Sequence, residues 1–273
     1  MKTLKSLERN DDFIHRHIGP SKSEIKLMLD ALEFHSLDEM SSKIVPENIL
    51  DLNSLKLGDP NSESSVLRNL GDLAKQNENF HTMIGMGYHD TITPSVILRN
   101  LIENPGWYTA YTPYQPEVSQ GRLEMLINFQ QLIMDLTGME IANASLLDES
   151  TAAAEAMTMC MKLNKDKRLD FLVDVNCYPQ TIDVLKTRAK PHGINVVIGN
   201  PWEDIKTNDK IYALLVQYPN IRGEILDLKD LIKRANEKNV LVVVACDLLS
   251  LTLLTPPGEI GADIVLGNSQ RFG

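Results

Sequence analysis

The chain has little of what marks several large classes of protein. It has three cysteines and 5% aromatic residues among 273, and no apolar run approaches the ~18 residues that a membrane-spanning helix needs. Cys160, Cys177 and Cys246 lie far apart among apolar or small residues, so we expect reduced thiols in a core rather than disulfides or a zinc site. The first residues contain neither an apolar segment nor an acid-free basic stretch, which predicts a cytoplasmic protein with no membrane partner.

An excess of positive charge is also lacking. Twenty-seven Lys and Arg residues stand against 37 Asp and Glu residues, for a formal net charge of −10, and the basic residues are scattered. Binding to a nucleic acid backbone needs a concentrated positive face, so nucleic acid is not an expected partner. Tandem repeats and low-complexity tracts are missing too. The remaining composition, 43% hydrophobic and 23% charged, is typical of a globular protein with a large core.

The first 80 residues predict a helical N-terminal arm, and residues 81–273 an α/β domain. Ser21 with Glu24 and Ser36 with Glu39 have the spacing of two capping boxes, each opening a helix. A third helix is expected after the turn at Pro60, because apolar residues then recur at helical spacing.

Two short motifs could suggest ligand sites but support them weakly. His15 and His17 flank an arginine, yet two histidines without a third ligand favour a surface segment over a metal site, so no metal is predicted. Gly85 and Gly87 form a Gly-x-Gly without the third glycine of a dinucleotide fingerprint. These glycines instead predict that the backbone passes close to a ligand or to another chain segment.

The second part of the chain alternates between strand and helix patterns. A long helix is expected from Ser119 to its terminator Gly138. After the helix that opens near Ser150, the apolar runs predict strands at residues 171–174, 194–198, 211–216, 240–247 and 263–266, with crossover helices at 179–190 and 228–238. This alternation predicts an α/β fold with a mostly parallel sheet, helices on both faces, and ligands at the carboxyl ends of the strands.

Two features at the ends of these elements could bind a ligand. Small polar residues lead into the alanine-rich start of a helix. The free N–H groups there can be capped by Asp148, Ser150 or Thr151, or they can bind a phosphate. Asp247 ends an apolar strand, and its carboxylate needs a partner, either a cofactor ring nitrogen or backbone donors. The simpler interpretation of each feature is structural.

An unusual aromatic loop covers residues 107–117, with three tyrosines, a tryptophan and two prolines. Pro113 and Pro116 fix their own backbone and exclude a regular helix, so the side chains are expected to be held in place. The loop is either packed at a subunit boundary or faces a substrate. The two interpretations are compatible.

Five stretches together resemble the P-proteins of the glycine cleavage system, a family of pyridoxal-phosphate enzymes with the aspartate-aminotransferase fold. The stretches are FIHRHIGP at 13–20, IGMGY at 84–88, YTPYQPEVSQG at 111–121, ANASLLDE at 142–149 and GNSQRFG at 267–273. The resemblance covers the whole chain. Because the strings are long and uncommon, it is also specific. It implies a fold type I pyridoxal-phosphate-dependent transferase-like domain, here truncated.

The resemblance also implies a division of labour between two aminotransferase-like halves. This chain is similar to the first half only, and Gln270 stands where the second half has the lysine that forms the Schiff base. Glutamine has no nucleophilic amine, so pyridoxal phosphate is expected on the second half. The site residues then divide into two sets. Tyr111, Tyr114, Gln115 and Glu117 are expected to be lent to the partner half, and Ser150, Thr151 and Asp247 are possible relics of a cofactor site.

The function implied by the resemblance is glycine decarboxylation, with the aminomethyl group passed to the lipoyl arm of H-protein. The implied partners are the C-terminal half or a second subunit, lipoylated H-protein, and a second copy in a homodimer or two-plus-two assembly. Two alternatives stay open: the first subunit of a split, two-chain enzyme, and a catalytically silent scaffold.

Overall fold

The computed structural model of the chain describes residues 3–7, 12–51, 53, 55–108, 112 and 114–273. It divides into two compact units, Met1–His81 and Thr82–Gly273. None of the helices in this described part is long and apolar enough to cross a membrane.

The first unit is helical. Its helices are α1 (Leu4–Leu7), α2 (Asp12–His17), α3 (Lys22–Ala31), α4 (Leu37–Ile44) and α5 (Glu63–Ala74). Ser21 caps α3 in a complete capping box with Glu24, which confirms that prediction. The second capping box is incomplete, because the Glu39 carboxylate accepts the N–H of His35, one residue before the cap Ser36, at 2.9 Å.

The second unit opens with short helical segments. They are α6 (Ser95–Ile97), which continues as a π-helical turn over Leu98–Ile102, α7 (Pro105–Tyr108), and a 3₁₀ turn at Pro116–Val118. The aromatic stretch therefore begins in one helical turn, and no described residue from 112 to 115 is helical, in line with the prediction that the stretch is not a regular helix. Pro105 opens this turn, and the side chain of Asn104 accepts the N–H of Gly106 at 2.9 Å. The long helix α8 (Gln120–Thr137) then ends at Gly138, whose φ of 69° is left-handed as predicted.

Five parallel strands form the sheet of this unit. They are β1 (Asp170–Asp174), β2 (Asn195–Gly199), β3 (Ile211–Tyr218), β4 (Leu241–Asp247) and β5 (Ile264–Asn268), in the order β2-β1-β3-β4-β5. The helices around them are α9 (Glu149–Leu163), α10 (Pro179–Ala189), α11 (Pro201–Thr207) and α12 (Lys229–Glu237). The predicted strands and crossover helices are confirmed to within two residues, but α11 was not predicted.

Helices cover both faces of the sheet, which confirms the predicted fold class. Alternate residues of each strand point to opposite faces. Phe171 of β1 belongs to the core that contains α9 and α10, whereas the next residue, Leu172, packs in the core with Ile205 of α11 and Leu231 of α12. The three cysteines are free and buried, as expected for reduced core thiols. All five strands end at one edge, where a ligand site is expected.

Candidate functional site

The N-terminus of α9 is capped by its own side chains. The N–H of Thr151 donates to Asp148 Oδ1 at 2.8 Å, and the N–H of Asp148 donates to Thr151 Oγ1 at 3.1 Å. The Thr151 hydroxyl and backbone bonds lower the pKa of Asp148, so this carboxylate is charged at neutral pH. Ser150 is buried, with its hydroxyl 3.1 Å from that of Thr181. Of the three candidate caps, Asp148 is the one that binds the helix.

Glu149, the first residue of α9, has a buried carboxyl group beside Gln217 of β3. Burial raises the pKa of Glu149 to about 7; the hydrogen bond with Gln217 opposes the rise, and the charges of Asp247 and Asp148 add to it. Gln217 itself is 5% exposed. No residue that the structure describes donates to Glu149 Oε1 or to Gln217 Oε1. Burial therefore favours the uncharged form of the Glu149 carboxyl group to a higher pH than for an exposed glutamate.

Asp247, at the carboxyl end of β4, has an ion-pair partner. Arg271 Nε donates to its two carboxylate oxygens at 3.1 and 3.3 Å, and the N–H of Leu249 donates to Oδ1 at 3.1 Å. The Asp247 and Arg271 side chains are 21% and 19% exposed. Backbone donors were one of the two partners expected for Asp247, and the guanidinium was not foreseen.

Tyr178, the residue before α10, lies near enough to these charged groups to be affected by them. Burial raises its pKa to about 12; the charges of Glu149 and Asp247 add to this rise and that of Arg271 opposes it. Its ring packs against Gly87, where an added Cβ would lie only 2.6 Å from a ring carbon. The predicted close approach is thus confirmed for Gly87, which meets Tyr178, whereas nothing lies within 4 Å of a Cβ added at Gly85.

Two glutamines complete this polar cluster. Gln180 Nε2 donates to the carbonyl of Met86 at 2.8 Å, and Gln270 Nε2 donates to the carbonyl of His89 at 2.7 Å. We call the side chains of Asp148, Glu149, Tyr178, Gln180, Gln217, Asp247, Gln270 and Arg271 the edge cluster. The predicted residues Ser150, Thr151 and Asp247 lie in or beside it.

The chemistry of the edge cluster does not suit a phosphate or an imine. A phosphate at the start of α9 would have to displace the Asp148 carboxylate from the Thr151 N–H, and it would lie next to Glu149. The amide of Gln270 cannot form an imine. Within the described residues, no group of three His, Cys, Asp or Glu could hold a metal.

The aromatic loop is described only in part, and Tyr111 and Pro113 lie outside the described residues. Tyr114 is 85% exposed, and Gln115 and Glu117 are also exposed. Arg122 of α8 lies over the ring of Trp107 at 5.5 Å from its centroid. No hydrogen bond, ion pair or ring contact among the described residues joins Tyr114, Gln115 or Glu117 to the edge cluster. Within the described residues, Tyr114, Gln115 and Glu117 are therefore not joined by direct bonds to Ser150, Thr151 or Asp247.

Sequence reasoning missed several members of the edge cluster, of which Gln217 had a visible signal. It is a polar residue in the otherwise apolar strand β3. Glu149, Tyr178 and Arg271 carried no comparable signal, because each stands among residues of similar polarity and their approach depends on the fold.

The parallel sheet and the polar residues at its carboxyl edge define the class first: an α/β protein with a cluster of polar side chains at the edge where such folds bind ligands. Residues 15–273 match the family described as glycine cleavage system P-protein. The chain therefore belongs to the glycine cleavage system P-protein family.

Similar proteins agree with this assignment. The chain is 54% identical over 270 residues to the glycine dehydrogenase (decarboxylating) of Pelagibacter ubique, and 51% identical over 273 residues to that of Stutzerimonas stutzeri. These alignments cover 99% and 100% of this chain, which spans 28% of the length of each relative. A solved glycine decarboxylase (P-protein), in inhibitor-bound form, is 33% identical with a TM-score of 0.79, over 93% of this chain and 58% of that one.

Proposed function

We propose that this chain is part of a glycine dehydrogenase (decarboxylating) and contributes its first, non-catalytic half. The observation that carries the proposal is the match to the P-protein family over residues 15–273. The complete enzyme decarboxylates glycine and passes the aminomethyl group to lipoylated H-protein. Three free, buried cysteines suit the reducing cytoplasm, where we place the activity. The helical unit and the α/β unit serve in this proposal as an arm domain and a large domain.

Pyridoxal phosphate belongs to the second half in this proposal. The edge cluster of this chain does not fit the cofactor. The Asp148 carboxylate already accepts the Thr151 N–H at the start of α9, and Glu149 adds a carboxyl group where a phosphate would bind. Gln270 offers an amide in place of an amine. Ser150, Thr151 and Asp247 are, in this account, relics of a cofactor site that now bind protein groups.

The aromatic loop is the part of this chain that we propose to act in catalysis. Tyr111, Tyr114, Gln115 and Glu117 orient the substrate in the active site of the C-terminal half or second subunit. Support comes from the exposure of Tyr114, Gln115 and Glu117 and from their mixed aromatic and polar chemistry, which suits a shared site better than a plain apolar contact. The proposed assembly is a homodimer of fused chains or a two-plus-two assembly of separate halves.

The test uses a chimera in which this chain replaces the matching segment of the Pelagibacter ubique glycine dehydrogenase (decarboxylating). Glu117→Gln and Tyr111→Phe are introduced singly, with Glu124→Gln on an exposed position of α8 as the control. Exchange of the glycine carboxyl group with bicarbonate should fall about a hundredfold in the loop variants, or roughly 2.7 kcal/mol, because each loses a contact made mainly in the transition state. Exchange that survives within a few-fold, or that falls only in step with weaker assembly, would make the loop structural.

A further inference from the structure

The segment formed by residues 83–90, which we call the strap, has an unfavourable backbone conformation. Gly85, Met86 and Gly87 have φ values of 70°, 61° and 85° in succession. Glycine adopts this left-handed region freely, but Met86 does so at a cost. Such a conformation persists only where surrounding contacts enforce it.

Two side chains of the edge cluster enforce it. Gln180, in the first turn of α10, donates to the carbonyl of Met86, and Gln270, which follows β5, donates to the carbonyl of His89. Because a carbonyl oxygen can only accept, each amide must turn its nitrogen to the strap. Each amide oxygen is then buried, and no described residue donates to it. Two half-buried glutamines therefore bind the strap, although no described residue donates to the buried amide oxygen of either one.

The strap also rests on Tyr178, the residue before α10. The ring occupies the space that a Cβ of Gly87 would need. Gln180 and Tyr178 thus hold the strap from α10, while Gln270 holds it from the turn after β5.

The strap leads directly to the helices that carry the aromatic loop. Gly273, at the end of the 3₁₀ turn Ser269–Phe272 that contains Gln270, lies close to this continuation. A Cβ at Gly273 would be 3.0 Å from the carbonyl oxygen of Ile92 and 3.3 Å from Pro94, which precedes α6. The chain then runs through α6, the π-helical turn and α7, whose Trp107 is covered by Arg122. Only five residues lie between Tyr108, the last residue of α7, and Tyr114.

We propose that Gln180 and Gln270 are positioning residues, which clamp the strap and thereby set the aromatic loop for the active site of the partner half. This role rests on the proposed function of the loop. The clamp itself, however, is a property of this chain alone.

The experiment replaces Gln180 and Gln270 by Glu, singly and together. The glutamate carboxylate has the same shape as the amide but no N–H to donate, so the two bonds to the strap are lost and a negative charge is added at each position. Gln76→Glu, at an exposed position of the helical unit, is the control for added charge. Amide hydrogen exchange of the strap is measured in the chain itself, and glycine–bicarbonate exchange in the chimera.

In the double variant, strap amides should exchange at least tenfold faster, with little change elsewhere in the sheet. The kcat of the chimera should fall about tenfold with little change in the KM for glycine or in the thermal midpoint. A merely structural role would instead lower activity in proportion to the unfolded fraction. Unchanged strap exchange would overturn the clamp, and faster strap exchange with unchanged kcat would overturn the positioning role. An unmodified chimera that is inactive would overturn the proposed function and the positioning role with it.

Discussion

Replacing Glu149 by Gln should make the α/β unit more stable, and by an amount that depends on pH. The pKa of Glu149 is about 7 in the folded chain against an ordinary value of 4.5, chiefly because the carboxyl group is buried. At about 1.4 kcal/mol per pH unit, this difference corresponds to about 3 kcal/mol. Since the folded state binds the proton more tightly than the unfolded state, stability is greatest below pH 4.5. It then falls as the pH rises to about 7.

The amide that replaces the carboxyl group in Glu149→Gln cannot ionise. The variant should therefore not lose stability in this way as the pH rises. The difference in unfolding free energy between the variant and the parent should be roughly 2 to 3 kcal/mol larger at pH 8 than at pH 5. Guanidinium titration followed by tryptophan fluorescence measures it, because Trp107 and Trp202, the only two tryptophans, both lie in the α/β unit. The control is Glu237→Gln, at an exposed position of α12. A difference that is equal at the two pH values would refute the buried, proton-holding role of Glu149.

Two further predictions concern the edge cluster. Asp148→Ala should lower the unfolding free energy by about 1 kcal/mol in the same titration, because the Thr151 N–H loses its hydrogen-bond acceptor. An unchanged unfolding midpoint would count against the capping role of Asp148. Pyridoxal phosphate added to the chain, followed by borohydride reduction and peptide mapping, should give no stoichiometric adduct on any single lysine, because Gln270 has no amine to form the imine; one fully labelled lysine would contradict this.

Much of the fold could be predicted from local patterns. Ser21 and Glu24 mark the start of α3, Gly138 marks the end of α8, and the apolar runs mark the five strands. The helix α11 escaped prediction because it has only seven residues. Its buried residues, Pro201 and Ile205, are too few to show a helical period.

The candidate site was predictable only in outline. The strand order brings Asp247 and Arg271 together, although 24 residues separate them in the sequence. Neither residue alone indicates that their charges neutralise each other. Likewise, an acidic residue before a helix predicts either a cap or a ligand site, and the bond from the Thr151 N–H to Asp148 distinguishes the two. The roles of Tyr111, Tyr114, Gln115 and Glu117 depend on a partner half, so they stay predictions.

The central claim is that this chain serves a glycine dehydrogenase without holding a catalytic centre of its own. The most direct test compares glycine–bicarbonate exchange by the unmodified chimera with exchange by its Pelagibacter ubique parent, at equal concentrations of folded protein. We expect the chimera to exchange at a rate within about tenfold of the parent. We also expect the cofactor trapped by borohydride to map outside residues 1–273. A folded, assembled chimera without exchange, or a cofactor trapped on a lysine of this chain, would contradict it.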